Sequence, residues 1–232
     1  MRAISTAEAA LAARPRAYAR STDTRHRLVE SAIETFAELG YEGATTRLLA
    51  ERAGVNLPAI QYHFGGKEGL YRAAIEHIAA YVETCMAPAA DRVRAALKCG
   101  KPPRAALLSL LTTLLDAFVA LVIGDAKGES RKRLISRAEI DNFAALAALH
   151  ESMMRQAIGP CAALVGRLIG KPAEDRKTVI RALAILGQAS IFCHQGARRA
   201  LDWQDFSDTR VREVQAAVRG QTRAVFRAGA GR

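Results

Sequence analysis

Two short helical patterns meet across Gly54-Val55-Asn56, and that junction leaves few ways to fold the residues on either side of it. Thr45 precedes the first pattern with a hydroxyl that can accept from the free N–H groups opening a helix. Leu48, Leu49 and Ala53 give that helix an apolar stripe, and Gly54 stands where a helix commonly turns left-handed, a conformation costly for residues with a Cβ. Asn56 is suited to cap the next helix, and Pro58 falls in its first turn, where a missing N–H does no harm. Ala50 is small where two helices joined by so short a turn must cross closely. The spacing predicts a helix-turn-helix.

The preceding segment is punctuated in the same way. Thr24 is a candidate cap, Leu28, Ala32, Ile33, Phe36 and Leu39 form one apolar face, and Gly40 is the expected end. If Gly40 is left-handed, Tyr41 packs back onto Phe36. Ile60 and Phe64 from the third helix, with Leu70, Ala74, Ile75 and Ile78 from a fourth, complete a small core and leave the other face of the third helix free. That free face carries groups suited to duplex DNA, in which phosphate contacts position a protein and base-edge contacts select sequence. Tyr62, His63 and Lys67 can donate to phosphate oxygens. Gln61 suits an adenine edge, Arg47 a guanine edge, and Leu57 or Ala59 a thymine methyl.

The run GYEGATTRLLAERAGVNLPAIQYHFGGKEGLYRA resembles the N-terminal domain of TetR/AcrR-type transcriptional regulators over roughly residues 22 to 80. The wording NLPAIQYHFGGKEGLY, with LISRAEI downstream, looks most like the CecR-like subgroup. The resemblance implies an all-α chain: a three-helix DNA-binding domain with a helix-turn-helix, linked by a fourth helix to a C-terminal helical bundle for effector binding and dimerisation. It implies a homodimer on a palindromic operator, most often a repressor released by a small-molecule effector. Carried over by position, Thr45, Thr46 and Arg47 open the supporting helix, Asn56, Leu57, Pro58, Ala59, Gln61, Tyr62 and His63 lie on the recognition helix, and Lys67 opens the fourth helix and touches phosphate. Pro58 stands where the family frequently has glycine, and Gln61 where it frequently has tyrosine.

The net charge of +11 does not by itself locate the DNA site. Residues 1–83 hold ten basic and ten acidic groups, so the whole excess lies in residues 84–232. Locally, however, Arg2, Arg14, Arg16, Arg20, Arg25 and Arg27 face only Glu8 and Asp23. We therefore expect residues 1–22 to be a flexible basic arm that tracks phosphates or enters the minor groove, with 23–83 the DNA-binding domain and 84–232 the effector and dimerisation domain. No apolar run is expected to reach the ~20 residues of a membrane span, because Ser109, Thr112, Thr113 and Asp116 interrupt Leu107 to Ile123. The N-terminal apolar stretch is too short for a signal peptide, so a cytoplasmic location is expected.

The rest reads as helices, among them Arg104–Ile123, 141–169 with a kink at Gly159-Pro160, 173–201 and 209–227, with a further break at Pro88. The apolar faces of 153–169 and 179–191 are candidates for a dimer interface. Phe118, Arg137, Phe143, Met153, Gln188 and His194 are residue types that could line an effector cavity, mixing apolar walls with polar anchors. Cys85, Cys99, Cys161 and Cys193 lack paired metal-ligand spacing and read as buried thiols. His26, His63, His77, His150 and His194 sit far apart in sequence, so neither a metal, a cofactor nor a catalytic constellation is expected, and an enzyme is disfavoured. The rival reading is a nonspecific architectural DNA binder.

Overall fold

The computed structural model describes residues 6–124, 128–140, 144–193, 195–203 and 207–228; for residues 6–20, Cys193, Gln195, Arg198 and Ala228 it describes the backbone alone. Among the described residues there are helices and no strands: α1 Thr6–Gly43, α2 Thr46–Ala53, α3 Pro58–Phe64, α4 Lys67–Lys98, α5 Arg104–Ile123, α6 Gly128–Ile140, α7 Leu146–Met153, α8 Gly159–Ile169, α9 Arg176–Ser190, α10 Gln195–Ala200 and α11 Asp208–Ala228. They form two compact units. One comprises Met1–His77 with Ser130–Ala145, the other Ile78–Glu129 with Leu146–Arg232. The segment 130–145, read from sequence with the C-terminal part, thus groups with the N-terminal helices. Arg137 of α6 supplies one reason by donating from Nη2 to the Glu38 carbonyl at 3.1 Å.

In the first unit, Leu28, Ala32, Ile33 and Phe36 of α1 are buried as the apolar spacing predicts. Leu39 is not; it is exposed. Thr24 does not cap this helix, which begins at Thr6 and runs through it. Gly40 interrupts the helical path with φ 75° and ψ 176°, a region essentially open only to glycine. The break returns Tyr41 to Phe36, with ring centroids 6.1 Å apart. Tyr71 of α4 meets both rings edge-on, 4.8 Å from Phe36 and 5.2 Å from Tyr41. The sequence pattern had missed Tyr71, because a tyrosine at the buried phase of a helix is easily read as a polar surface residue.

The second unit is organised on α5, which packs against α8, α9 and α11. The boundaries of α5 match those expected from sequence. α5 is long and apolar enough to cross a membrane by length and composition, contrary to the expectation that no run would qualify. Its core positions Leu107, Leu111, Leu114, Leu115, Phe118, Val119 and Ile123 are all buried by neighbouring helices. Its one carboxylate, Asp116, takes a two-pronged contact from Arg219 Nη1 at 2.9 and 2.8 Å, and its carbonyl accepts from Gln215 at 3.0 Å. Arg104 ties the start of α5 to the carbonyls of Leu168 and Phe226.

Proline acts differently at Pro88 and Pro160. At Pro88 the expected break is absent, and α4 continues to Lys98 with Met86, Ala89 and Ala90 buried around the missing bond. At Gly159-Pro160 the expected distortion is present as a π-helical turn, Met154–Ile158. Gly159 N–H reaches back to the Met154 carbonyl, but Pro160 has no N–H to give to Arg155 in the same pattern. Arg94 fills that place: Nη1 donates to the Arg155 carbonyl at 2.9 Å and Nη2 to Gln156 Oε1 at 3.2 Å. A guanidinium thus replaces the backbone donor that proline removed.

Of the described cysteines, Cys161 is buried, Cys85 half-buried and Cys99 exposed. Burial pushes the Cys161 thiol up to about 12, and Sγ donates weakly to the Ala182 carbonyl. Because the folded value is raised, this thiol's contribution to stability is complete below the ordinary thiol range and is lost as pH climbs toward about 12. Thiol labelling of the native protein should therefore modify Cys99 first and leave Cys161 intact until the chain unfolds. Early labelling of Cys161 would show that its site opens locally.

Candidate nucleic-acid interface

Thr45 caps α2 as its sequence position suggests: its backbone is extended and Oγ1 accepts from Leu48 N–H at 3.2 Å. At the other end Gly54 is left-handed, with φ 63° and ψ 39°. Its N–H donates to the Glu51 carbonyl and that of Val55 to the Ala50 carbonyl, both at 3.0 Å, which is the paired closure of a Schellman motif. Ala50 is buried, as a close helix crossing requires.

The end of α2 has a further donor that sequence reasoning missed. Arg27 Nη2 donates to the carbonyls of Ala53 at 2.7 Å and Gly54 at 2.9 Å, placing a cation at the negative end of the helix. Arg25 lies 5.4 Å over the Phe64 ring. Both arginines belong to the local basic excess but lie beyond the expected arm of residues 1–22, and they brace the first unit; the arginines of the arm itself lie outside the residues whose side chains are described. Arg27→Ala should cost about 1 kcal/mol of stability, measured by denaturant unfolding, since a half-exposed cation at a helix terminus contributes on that order. No measurable loss would mean that water replaces the guanidinium without penalty.

Asn56 does not cap α3. The residue before the helix is Leu57, itself in helical conformation, and it makes no side-chain cap bond. Pro58 takes the first helical position, and the turn is closed by Ala59 N–H to Asn56 O at 3.0 Å and Ile60 N–H to Leu57 O at 3.2 Å. Ala59 and Ile60 face inward, so Ala59, 9 % exposed, is withdrawn from the residues able to meet a base. The opposite face presents Leu57, Pro58, Gln61 and Tyr62, all exposed and one helical turn apart in pairs. Tyr62 is 82 % exposed, which excludes a core role. His63 is half-buried, its ring edge-on to Tyr62 at 4.9 Å, and Phe64 is half-buried beneath Arg25.

Around this face, Thr45, Arg47 and Asn56 are exposed and Thr46 is half-buried. Lys67 opens α4 with its ammonium 4.4 Å over the Tyr41 ring and 3.5 Å from the Glu42 carbonyl. Partial burial, with Glu68 and Glu42 nearby, holds the Tyr41 hydroxyl above its ordinary value, so the ring stays neutral beneath that cation. A hydrogen bond from Arg52 at 2.6 Å keeps Glu38 below the usual carboxylate range. The arrangement is a short helix whose inner side is fixed by apolar packing and whose outer side offers an amide, a phenol and apolar atoms, flanked by cations.

The expected effector residues fall on several elements. Phe118 is buried in α5, Met153 ends α7 half-buried, and Gln188 is half-buried on α9; Arg137 belongs to the other unit, bound to Glu38. Phe143 and His194 lie outside the described residues. The expectation that the histidines stay apart is corrected: His26 and His77 approach to 5.8 Å between ring centroids, with Glu30 beside them.

Residues 28–74 match the family described as bacterial regulatory proteins, tetR family, and residues 107–229, more than half the chain, match the C-terminal domain of the HTH-type transcriptional dual regulator CecR. The chain belongs to the TetR family, with a CecR-type C-terminal domain. As a TetR-family protein it is a DNA-binding transcriptional regulator. It is 29 % identical over 168 residues to CecR of Shigella flexneri, covering 72 % of this chain and 74 % of that one. It is 30 % identical over 171 residues to the regulatory protein RaaS of Mycobacterium tuberculosis, covering 72 % and 70 %. A transcriptional regulator of Pseudomonas aeruginosa PAO1 shares the fold, with a TM-score of 0.61 at 16 % identity over 88 % of this chain and 92 % of that one.

Proposed function

We propose that this TetR-family chain is a cytoplasmic, ligand-responsive repressor that reads a palindromic operator as a homodimer and is released by a small-molecule effector. The observation that carries the reading is the exposed outer side of α3, where Leu57, Gln61 and Tyr62 project from a helix whose Ala59 and Ile60 are locked in the core. One such helix spans few base pairs, so selectivity requires two copies at a fixed spacing. A row of apolar residues left exposed on α9 supplies a surface for the second copy. Effector binding is supported by Gln188, whose Oε1 is buried and has no hydrogen-bond partner among the described residues, on a helix that packs against both α5 and the π-helical turn. A ligand donor would satisfy it.

Selection of bound sequences from a random DNA pool tests the proposal. A palindrome with a large preference over random competitor is expected; a ratio near one would favour architectural binding instead. Within that assay, Gln61→Ala should relax preference at one base pair per half-site, costing ~1–3 kcal/mol against the preferred base. Lys67→Ala should weaken all sequences alike, as loss of a phosphate contact does. Identical behaviour of the two variants across an operator series would refute this division of roles.

A further inference from the structure

His26, Glu30 and His77 each offer one ligand atom, and these atoms lie within 4.8 Å of one another. His26 and Glu30 are one turn apart on the same face of α1, and His77 projects from α4. His77 Nε2 already meets Glu30 Oε1 at 2.8 Å, and the two imidazole rings are tilted by 57°. We propose that this trio binds a divalent transition-metal ion, joining α1 to α4 within the DNA-reading unit. Metal–ligand bonds of about 2.0–2.2 Å put neighbouring ligand atoms roughly 3–3.5 Å apart, a closure within reach of small side-chain rotations. His26 is exposed and the other two are half-buried, so those rotations meet little resistance and an ion has a path in.

The donor set selects the class of ion. Two imidazoles and one carboxylate suit zinc, cobalt, nickel or copper, whereas calcium and magnesium want oxygen alone. Three protein ligands leave at least one position for water. To bind through Nε2, His77 gives up the hydrogen bond to Glu30: its proton moves to Nδ1 or is released to solvent, and the freed lone pair turns to the metal. Glu30 exchanges that donor for the ion, so its charge stays matched.

The 232-residue chain, free of any affinity tag, should be titrated with Co2+ and followed by visible absorption, then with Zn2+ as competitor. One ion per chain is expected, with a Co2+ band that Zn2+ displaces and a thermal midpoint that rises with Co2+. His26→Ala, which alters an exposed side chain, and Glu30→Gln should each weaken binding by about tenfold or more and abolish the midpoint shift. His150→Ala and Cys99→Ser should change neither. Circular dichroism of each variant separates loss of the site from loss of the fold. Undiminished Co2+ affinity in both His26→Ala and Glu30→Gln, or the absence of stoichiometric binding to the folded wild type, would overturn the assignment.

Discussion

Phe36→Ala is expected to destabilise the DNA-reading unit by about 3–5 kcal/mol, the range for removing a fully buried phenyl ring and leaving a cavity. Phe36 is 0 % exposed and touches two other rings, Tyr71 at 4.8 Å edge-on and Tyr41 at 6.1 Å. The three come from different parts of the unit: α1, the segment after the Gly40 break, and α4. Losing the central ring therefore removes the common support of Tyr41, over which Lys67 lies, and of Tyr71, which anchors α4. Such a loss is a large share of a typical domain's stability, so operator affinity should fall steeply at temperatures where the wild type binds. Denaturant unfolding and fluorescence anisotropy on operator DNA measure the two effects. Phe36→Leu, which keeps much of the volume, should recover most of the affinity. Equal stability of Phe36→Ala and wild type would mean that the ring cluster is not what holds the unit together.

The parts of this unit that were legible in sequence are those set by local chemistry. Thr45 as a cap, Gly54 as a left-handed stop, Pro58 at a first turn and Tyr41 folding back on Phe36 each depend on residues within a few positions of one another. The free face of α3 followed from the same spacing, although Ala59 sits one position too far around the helix to reach DNA. Asn56 failed as a cap because α3 begins one residue later, and there proline already supplies the conformation that a capping bond would otherwise favour. What stayed hidden depends on distant partners. Arg27 closes a helix 26 residues away, Arg137 reaches back 99 residues, and Arg94 repairs the bond that Pro160 breaks. His26 and Glu30 carry a visible four-residue spacing, but nothing in the chain order marks His77 as their neighbour. An arginine or histidine in a sequence shows its chemistry without its address.

The proposed second copy leads to the other large effect: Ile180→Glu combined with Leu183→Glu should convert the dimer to monomer. Ile180 is 55 % exposed and Leu183 46 %, and Ile191 just beyond the helix is 55 % exposed. With exposed Ala184 and Gly187 they recur at intervals of three, four and seven residues, an apolar stripe on the side of α9 opposite Ala182, Ile185, Leu186 and Ala189. Small residues between larger ones allow two helices to approach closely, and a two-fold axis would set the stripe of one copy against that of the other. Each substitution then acts twice. Four apolar side chains lose burial worth about 1.5 kcal/mol apiece, roughly 6 kcal/mol together, which is about a ten-thousandfold rise in the dissociation constant before any charge repulsion is added. Since both positions face solvent in a single chain, the variant should fold as the wild type does. Sedimentation velocity should show a monomer, and the random-pool selection should return single half-sites with no fixed spacing between them. A variant that still sediments as a dimer would place the interface on another surface of the chain and leave the α9 stripe exposed for some other purpose.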